Sequence, residues 1–245
     1  MAHVHGFVAR GPGVRAVSVS ASILPWFFGK AVVGVGVGQG YIDFGRFVLA
    51  VTVPRAPRMP NGVETSVCAP RGCRASLGTG TLRIDDSVIE AGPEWNPVPR
   101  VRHVPRGHPH PRLKPESLAG RGPGLTPAGD DILAGYAAGL TLFHGLRDEA
   151  MAIAGVAGPL TTRLSATLLE HAARGELAEP AHAYLERGDA DALDRFGHSS
   201  GRCLRLGLQL AASEPEGCPT DAESCSTWRP TEPEFWLIGS ITNAS

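Results

Sequence analysis

Gly120-Arg-Gly-Pro-Gly-Leu-Thr-Pro-Ala-Gly-Asp-Asp-Ile-Leu-Ala-Gly135 divides this 245-residue chain into two kinds of sequence. Gly120, Gly122, Gly124 and Gly129 can take positive φ and let a ligand approach the backbone, while Pro123 and Pro127 stiffen the loop between them. After Ala128, the positions Ile132, Leu133, Tyr136, Leu140 and Phe143 read as one helix running to Gly145, with Asp130 and Asp131 in its first turn. Two chemistries suit this arrangement. The backbone N–H groups of Gly122, Gly124, Leu125, Thr126 and Gly129 can cradle a carboxylate or phosphate, the helix dipole assisting, while Asp130 and Asp131 hold an amide N–H or a Mg²⁺ ion. Alternatively, Thr126 and Asp130 cap the helix, Asp131 offsets its dipole and the glycines make a tight turn. A nucleotide P-loop is excluded, because Asp130 stands where that loop requires lysine.

Upstream of the loop, the first hundred residues have the period of strands. Val14 to Ser20 alternates, Ala31 to Val37 is a Val/Gly run, and Tyr41 to Val53 is rich in β-branched and aromatic residues. Asn61-Gly62 suits a tight hairpin leading into a strand from Val63 to Cys68, and Leu77 to Asp86 reads as a further hairpin region. The glycines from Gly34 to Gly40 never fall into the G-x-G-x-x-G register of a dinucleotide fold, so they are thin strand positions or turns. Short antiparallel strands with frequent turns predict a small barrel or sandwich.

Downstream, the pattern is helical. Thr161 or Thr162 opens a second helix that Gly175 closes, Pro180 to Arg187 forms a third, and Ala190 to Phe196 a fourth. The last helix resumes at Arg202 and ends at Ala212 after Gly197-His-Ser-Ser-Gly201. That pentapeptide matches the nucleophile elbow G-x-S-x-G, but no buried strand precedes it and no histidine follows it, which argues against a serine hydrolase. It reads instead as a second polar loop, where Ser199 and Ser200 and the helix start at Gly201 present donors to an anion. The narrow face of Gly135, Ala138 and Gly139 on the first helix invites close approach by another. The fold class expected is α+β, a barrel-like or sandwich β half followed by a helical half. It divides into a β-rich domain over 1–100, a Pro/Arg/His linker over 101–115, the Gly-rich loop and helical domain over 116–212, and a tail over 213–245 whose composition predicts disorder.

Composition narrows the partners. With 23 basic against 24 acidic residues, neither nucleic acid nor an anionic membrane surface is indicated. No apolar stretch approaches the roughly 20 residues of a membrane span, and no signal peptide is read at the start. The five cysteines, Cys68, Cys73, Cys203, Cys218 and Cys225, are odd in number and form no C-x-x-C pair, as expected of a reduced, cytoplasmic protein. His103, His108 and His110 lack a carboxylate or cysteine at a familiar spacing, so no metal site and no certain cofactor is assigned.

Taken in order, Gly122-Pro-Gly-Leu-Thr-Pro-Ala-Gly-Asp-Asp131, Thr162-Arg-Leu-Ser-Ala166, Ala172-Ala-Arg-Gly175 and Gly197-His-Ser-Ser-Gly201 resemble a bacterial family of domains containing the AllH subunit of oxamate carbamoyltransferase. Leu77 to Pro97 resembles the end of that family's β region. The resemblance implies a role in carbamoyl transfer, in which oxalurate and phosphate give oxamate and carbamoyl phosphate in allantoin catabolism, alongside FdrA-like and AllG-like subunits. It places Gly122, Gly124, Leu125, Thr126, Gly129, Asp130, Asp131 and residues 198–201 in the family's motifs. Cys203 departs from it, since an Asp is expected there.

The function expected is therefore an AllH-like subunit of a multi-subunit carbamoyltransferase that binds a small carboxylate or phosphate. Asp130, Asp131 and His198 are the catalytic candidates; His198 is the proton shuttle. The competing expectation is a metabolite-binding or assembly subunit with the chemistry on a partner chain.

Overall fold

Alternating valine and glycine make β3 (Val32–Gly38) a strand whose two faces differ sharply. Val33, Val35 and Val37 point to solvent, while Gly34 and Gly36 face inward, where a Cβ would lie 2.8 Å from Phe44 Cδ1 or 2.2 Å from Pro70 O. The glycines are thus strand positions over which neighbouring chain passes at contact distance. In the computed structural model, which describes residues 13–105, 109 and 113–212, β3 lies near the middle of a ten-stranded sheet. The others are β1 (Val14–Arg15), β2 (Ser18–Ser20), β4 (Tyr41–Asp43), β5 (Val48–Thr52), β6 (Gly62–Glu64), β7 (Arg74–Gly78), β8 (Thr81–Ile84), β9 (Ser87–Glu90) and β10 (Glu94–Trp95). Their order is β1-β9-β8-β7-β3-β4-β5-β6-β2-β10.

Residues 14–20 hold both margins of this sheet. Val14 pairs with Ile89 of β9, while Val19 pairs with Val63 of β6. Between them Ala16 N donates to Glu90 O and the next residue, Val17, donates to Glu64 O. One extended segment therefore draws the two ends together, and the sheet curls into a half-barrel that leaves little open edge. Val19, Phe27, Ile42, Leu49, Leu77 and Ile89 fill its interior. Phe27 comes from a short helix, α1 (Leu24–Phe28), which the strand pattern does not announce.

Two expectations for this half need correction. The strands are not all antiparallel: β1 with β9, β10 with β2 and β5 with β6 run parallel. Asn61-Gly62 forms no hairpin either. A tight hairpin turn needs positive φ, which Gly62 does not have, and Gly62 instead begins β6 beside Ala50 of β5. The glycine is needed because a Cβ would meet Met59 O at 2.8 Å. Asn61 is buried and its amide donates to Val48 O at 2.7 Å, so the residue ties two strands.

The helical half follows as α2 (Pro115–Leu118), α3 (Ala128–His144), α4 (Arg147–Ala157), α5 (Arg163–Ala173), α6 (Glu179–Arg187), α7 (Ala190–Asp194) and α8 (Ser200–Ala212). The α+β class read from the sequence is the one observed. From Gly129 to Leu140 α3 is buried on every side, as its lack of an exposed polar face requires. Its small-residue face receives α8: a Cβ on Gly135 would lie 2.0 Å from Leu204 O, and one on Gly207 would lie 2.1 Å from Ile132 O. Thr162 caps α5 by accepting from Ser165 N, and Gly145 and Gly188 close α3 and α6 with positive φ. Helix α4 is absent from the sequence-based list. Beyond its first turn its exposed side carries Met151, Gly155 and Val156 rather than charge, so no amphipathic period marks it.

Contacts between the β-rich and helical halves are specific. Val48 N donates to Thr167 Oγ1 at 3.0 Å, Arg163 Nε lies 2.8 Å from Asp43 Oδ2, and Glu179 N donates to Arg58 O at 2.9 Å. Met59, Ala50 and Ala178 are buried at this seam beside Leu168 and Phe196. His103 is exposed; His108, His110, Cys218, Cys225 and the tail over 213–245 lie outside the described residues.

The α3–α8 crossing yields a stability prediction. Gly135→Ala should raise intrinsic helix propensity by about 1 kcal/mol yet lower net stability by roughly 1–3 kcal/mol, because the methyl group forces two backbones apart. Urea unfolding of the variant against the parent chain measures the sign.

Candidate functional site

The loop between α2 and α3 adopts the conformations its glycines permit: φ is +69° at Gly120, +120° at Gly122 and +96° at Gly124. Gly129 has a different task at the start of α3, where a Cβ would lie 2.0 Å from Leu118 O. Side-chain capping is not what holds this helix start. The N-cap is Pro127, without a side-chain bond, so Thr126 and Asp130 are free for other work. Asp130, only 2 % exposed, accepts Gly120 N–H at 2.8 Å through Oδ1 and a short hydrogen bond from the Thr161 hydroxyl through Oδ2. Both of its oxygens are engaged, so it braces the loop against the residues preceding α5.

The loop is gripped from two further directions. Leu125 O accepts from Thr162 Oγ1 at 2.6 Å and from Ser165 Oγ at 3.4 Å, both at the start of α5. Thr126 Oγ1 lies 3.1 Å from Ser200 Oγ, the first residue of α8. The two polar loops singled out in the sequence therefore meet through their hydroxyls. Among the described residues, the backbone N–H groups of Gly122, Gly124, Leu125 and Thr126 have no hydrogen-bond acceptor. Leu125 exposes its side chain beside them.

Asp131 differs from its neighbour. It is 9 % exposed, and its Oδ2 is buried without a hydrogen-bond partner among the described residues. Burial pushes its carboxyl up to about 7; a hydrogen bond from Ser200 opposes that rise, and the charge of Asp130 adds to it. Cys203 stands one turn along α8, its thiol pushed up by burial first and then by Asp131. The position where the family resemblance implied Asp is therefore within the field of an existing acid. A cysteine there spares Asp131 a second carboxyl neighbour beside Asp130.

Asp131 and Ser200 line a narrow cleft at the seam of the two halves, open on one side to solvent, with a cavity volume of about 50 Å³. Met59 and Pro60 come from the β-rich half, Leu168 and Phe196 from the helical half, and the remaining carboxylate is Glu176. Sequence reading missed Glu176. Its signal was the trio His171, Arg174 and Glu176 spanning the Gly175 turn after α5. His171 Nδ1 lies 2.5 Å from Glu176 Oε2, and Arg174 donates from Nε and Nη2 at 3.2 and 3.3 Å. Burial works against ionisation of Glu176, but the hydrogen bonds and charges of His171 and Arg174 prevail and lower its carboxyl to about 2. Burial also holds the His171 imidazole below its ordinary value. Near neutral pH the cleft thus has one carboxylate firmly charged and one poised between states.

The remaining candidates lie elsewhere. His198 is exposed, outside the cleft wall, and its carbonyl accepts from Arg202 Nη2 at 3.3 Å. Ser199 is half-buried just before α8 and its carbonyl accepts from Cys203 N at 3.0 Å, while Gly201 is buried where a Cβ would lie 1.7 Å from Leu193 O. Among the described residues, no three His, Cys, Asp or Glu side chains are grouped to hold a metal ion, and no helix is long and apolar enough to cross a membrane.

Residues 118–212 match the family described as oxamate carbamoyltransferase subunit AllH, and this part of the chain is AllH-like. The matched residues contain the loop, α3, α5, α8 and all of the cleft except Met59 and Pro60 from the β-rich half. No curated protein and no solved structure matches the chain.

Two outcomes follow for the adjacent acids. Asp130→Ala should lower stability by roughly 1–3 kcal/mol, by leaving the Gly120 N–H and Thr161 hydroxyl without their acceptor; thermal unfolding measures it. Asp131 has the opposite sign. Its folded value, about 7, lies above its ordinary 3.8, so the folded chain binds this proton more tightly than the unfolded chain does. The resulting destabilisation is complete above about pH 7, declines as pH falls and vanishes below the ordinary value. Asp131→Asn should therefore stabilise the protein at about pH 8 by on the order of 2–4 kcal/mol, a gain that shrinks towards zero near pH 4 in urea titrations.

Proposed function

We propose that this chain, AllH-like over residues 118–212, is a subunit of a multi-subunit carbamoyltransferase of the oxamate/oxalurate type. It binds a small anionic substrate at the Gly122 to Gly129 loop. The observation that carries the proposal is the meeting of Thr126 and Ser200, which joins the Gly-rich loop to the start of α8, where Ser200 also bonds the buried Asp131, its carboxyl pushed up to about 7 by burial. Backbone donors and two hydroxyls suit a carboxylate or phosphate without a basic side chain.

In the direction that consumes oxalurate, a phosphate oxygen attacks the carbamoyl carbon and the C–N bond breaks. The bonding pair goes to nitrogen, which must gain a proton to leave as the amide of oxamate. Hydrogen phosphate loses one as it becomes carbamoyl phosphate, so the proton count closes. A carboxyl near 7 is matched to moving that proton at neutral pH, and Asp131 is the relay under this reading. Asp130 supports the loop rather than the reacting atoms, and exposed His198 has no part in this scheme. Partner subunits of the FdrA-like and AllG-like kinds complete the enzyme under this reading.

The competing reading, a metabolite-binding or assembly subunit with chemistry on a partner chain, draws on Leu125, whose side chain is 56 % exposed at the loop where a partner could seat. Reconstitution with FdrA-like and AllG-like subunits separates the two. Asp131→Ala should reduce kcat for carbamoyl phosphate formation from oxalurate about 100-fold or more. Full kcat with a raised KM would assign the residue to binding alone, and unchanged kinetics would remove Asp131 from the site.

A further inference from the structure

Resting on the proposal above, we infer that the cleft behind the loop takes the N–H-bearing end of the substrate, an amide or ureido group that donates to Asp131 Oδ2. The anionic end stays outside, on the loop backbone. Asp131 lines this wall, and among the described residues its buried Oδ2 is an acceptor without a partner; an unpaired acceptor is costly until a donor fills it. A second acceptor, Glu176, lines the same cleft with its carboxylate already fastened by His171 and Arg174. Of the other lining groups named above, Met59, Pro60, Leu168 and Phe196 offer apolar contact, and the Ser200 hydroxyl is already engaged by Thr126 and Asp131. A carboxylate or phosphate entering here would face two acids, whereas a neutral N–H donor is drawn to them. The loop outside has the opposite character, with backbone donors at Gly122, Gly124, Leu125 and Thr126 that have no acceptor among the described residues. Acceptors inside and donors outside orient a molecule that carries an amide at one end and an anion at the other. A metal ion is a poor occupant, since Asp131 and Glu176 are not joined by a third ligating side chain among the described residues.

The test compares two ligands of like size and charge, oxamate and pyruvate, which differ by an amide NH₂ in place of a methyl group. Each is titrated calorimetrically into the full chain at about pH 8 and into Asp131→Leu, with Asp131→Asn as a second variant in case the first does not fold. Oxamate should bind the parent chain at least about tenfold tighter than pyruvate, because pyruvate leaves the carboxylate unpaired. The ratio should fall to near one in Asp131→Leu and drop severalfold in Asp131→Asn, where half of the acceptor pair becomes a donor. Equal binding of the two ligands, a ratio unchanged in the variants, or no oxamate binding would each overturn the inference. A reconstituted complex that forms no carbamoyl phosphate would defeat the transferase reading while leaving the oxamate preference intact, so the two failures are distinct.

Discussion

The contact on which the candidate site depends is the crossing of α3 and α8, where two backbones pass with no side chain between them. Gly135 and Gly207 each face a carbonyl of the other helix at a distance no Cβ could share. Helices with ordinary side chains at a crossing keep their axes 8–10 Å apart. The closer approach sets the first turn of α8 beside the first turn of α3, which is why Ser200 reaches both Thr126 and Asp131. A wider crossing would leave two unrelated polar loops.

Around that crossing, adjacent acids take different roles because their surroundings differ. Asp130 points to Gly120 and Thr161, fills both of its oxygens and becomes part of the scaffold. Asp131, one residue on, lines the cleft, keeps a buried oxygen without a partner among the described residues and is pushed up to about 7. Glu176 in the same cleft is driven the other way by Arg174 and His171. Carboxyl groups separated in this way can divide the work of holding charge and moving protons.

Much of this was legible in the sequence. The helix starting at Ala128, the cap at Thr162, the closing glycines Gly145, Gly175 and Gly188, and the special character of Gly120, Gly122 and Gly124 all follow from local chemistry, because each depends on residues within a few positions. The strand-rich first half was legible as period and composition. Misreadings arose where a local signal was overridden by distant chain. Asn61-Gly62 has the composition of a hairpin, yet its glycine answers to Met59 and its asparagine to Val48, and the strand that follows runs parallel to β5. Helix α4 escaped notice because beyond its first turn its exposed face is apolar, and Glu176 because nothing near it in the chain points to Met59 or Asp131.

The sequence by itself determined the α+β division, the positions of most helix ends, the glycine-dependent loop and the AllH-like set of motifs. These are properties of neighbouring residues, whose φ, capping and periodicity need no partner from afar. Only the tertiary structure decided which acid braces and which is open, that Thr126 meets Ser200 across 74 positions of chain, and that the cleft draws its wall from both halves. Burial and partner sets decide what a carboxyl does, and both are created when distant segments pack.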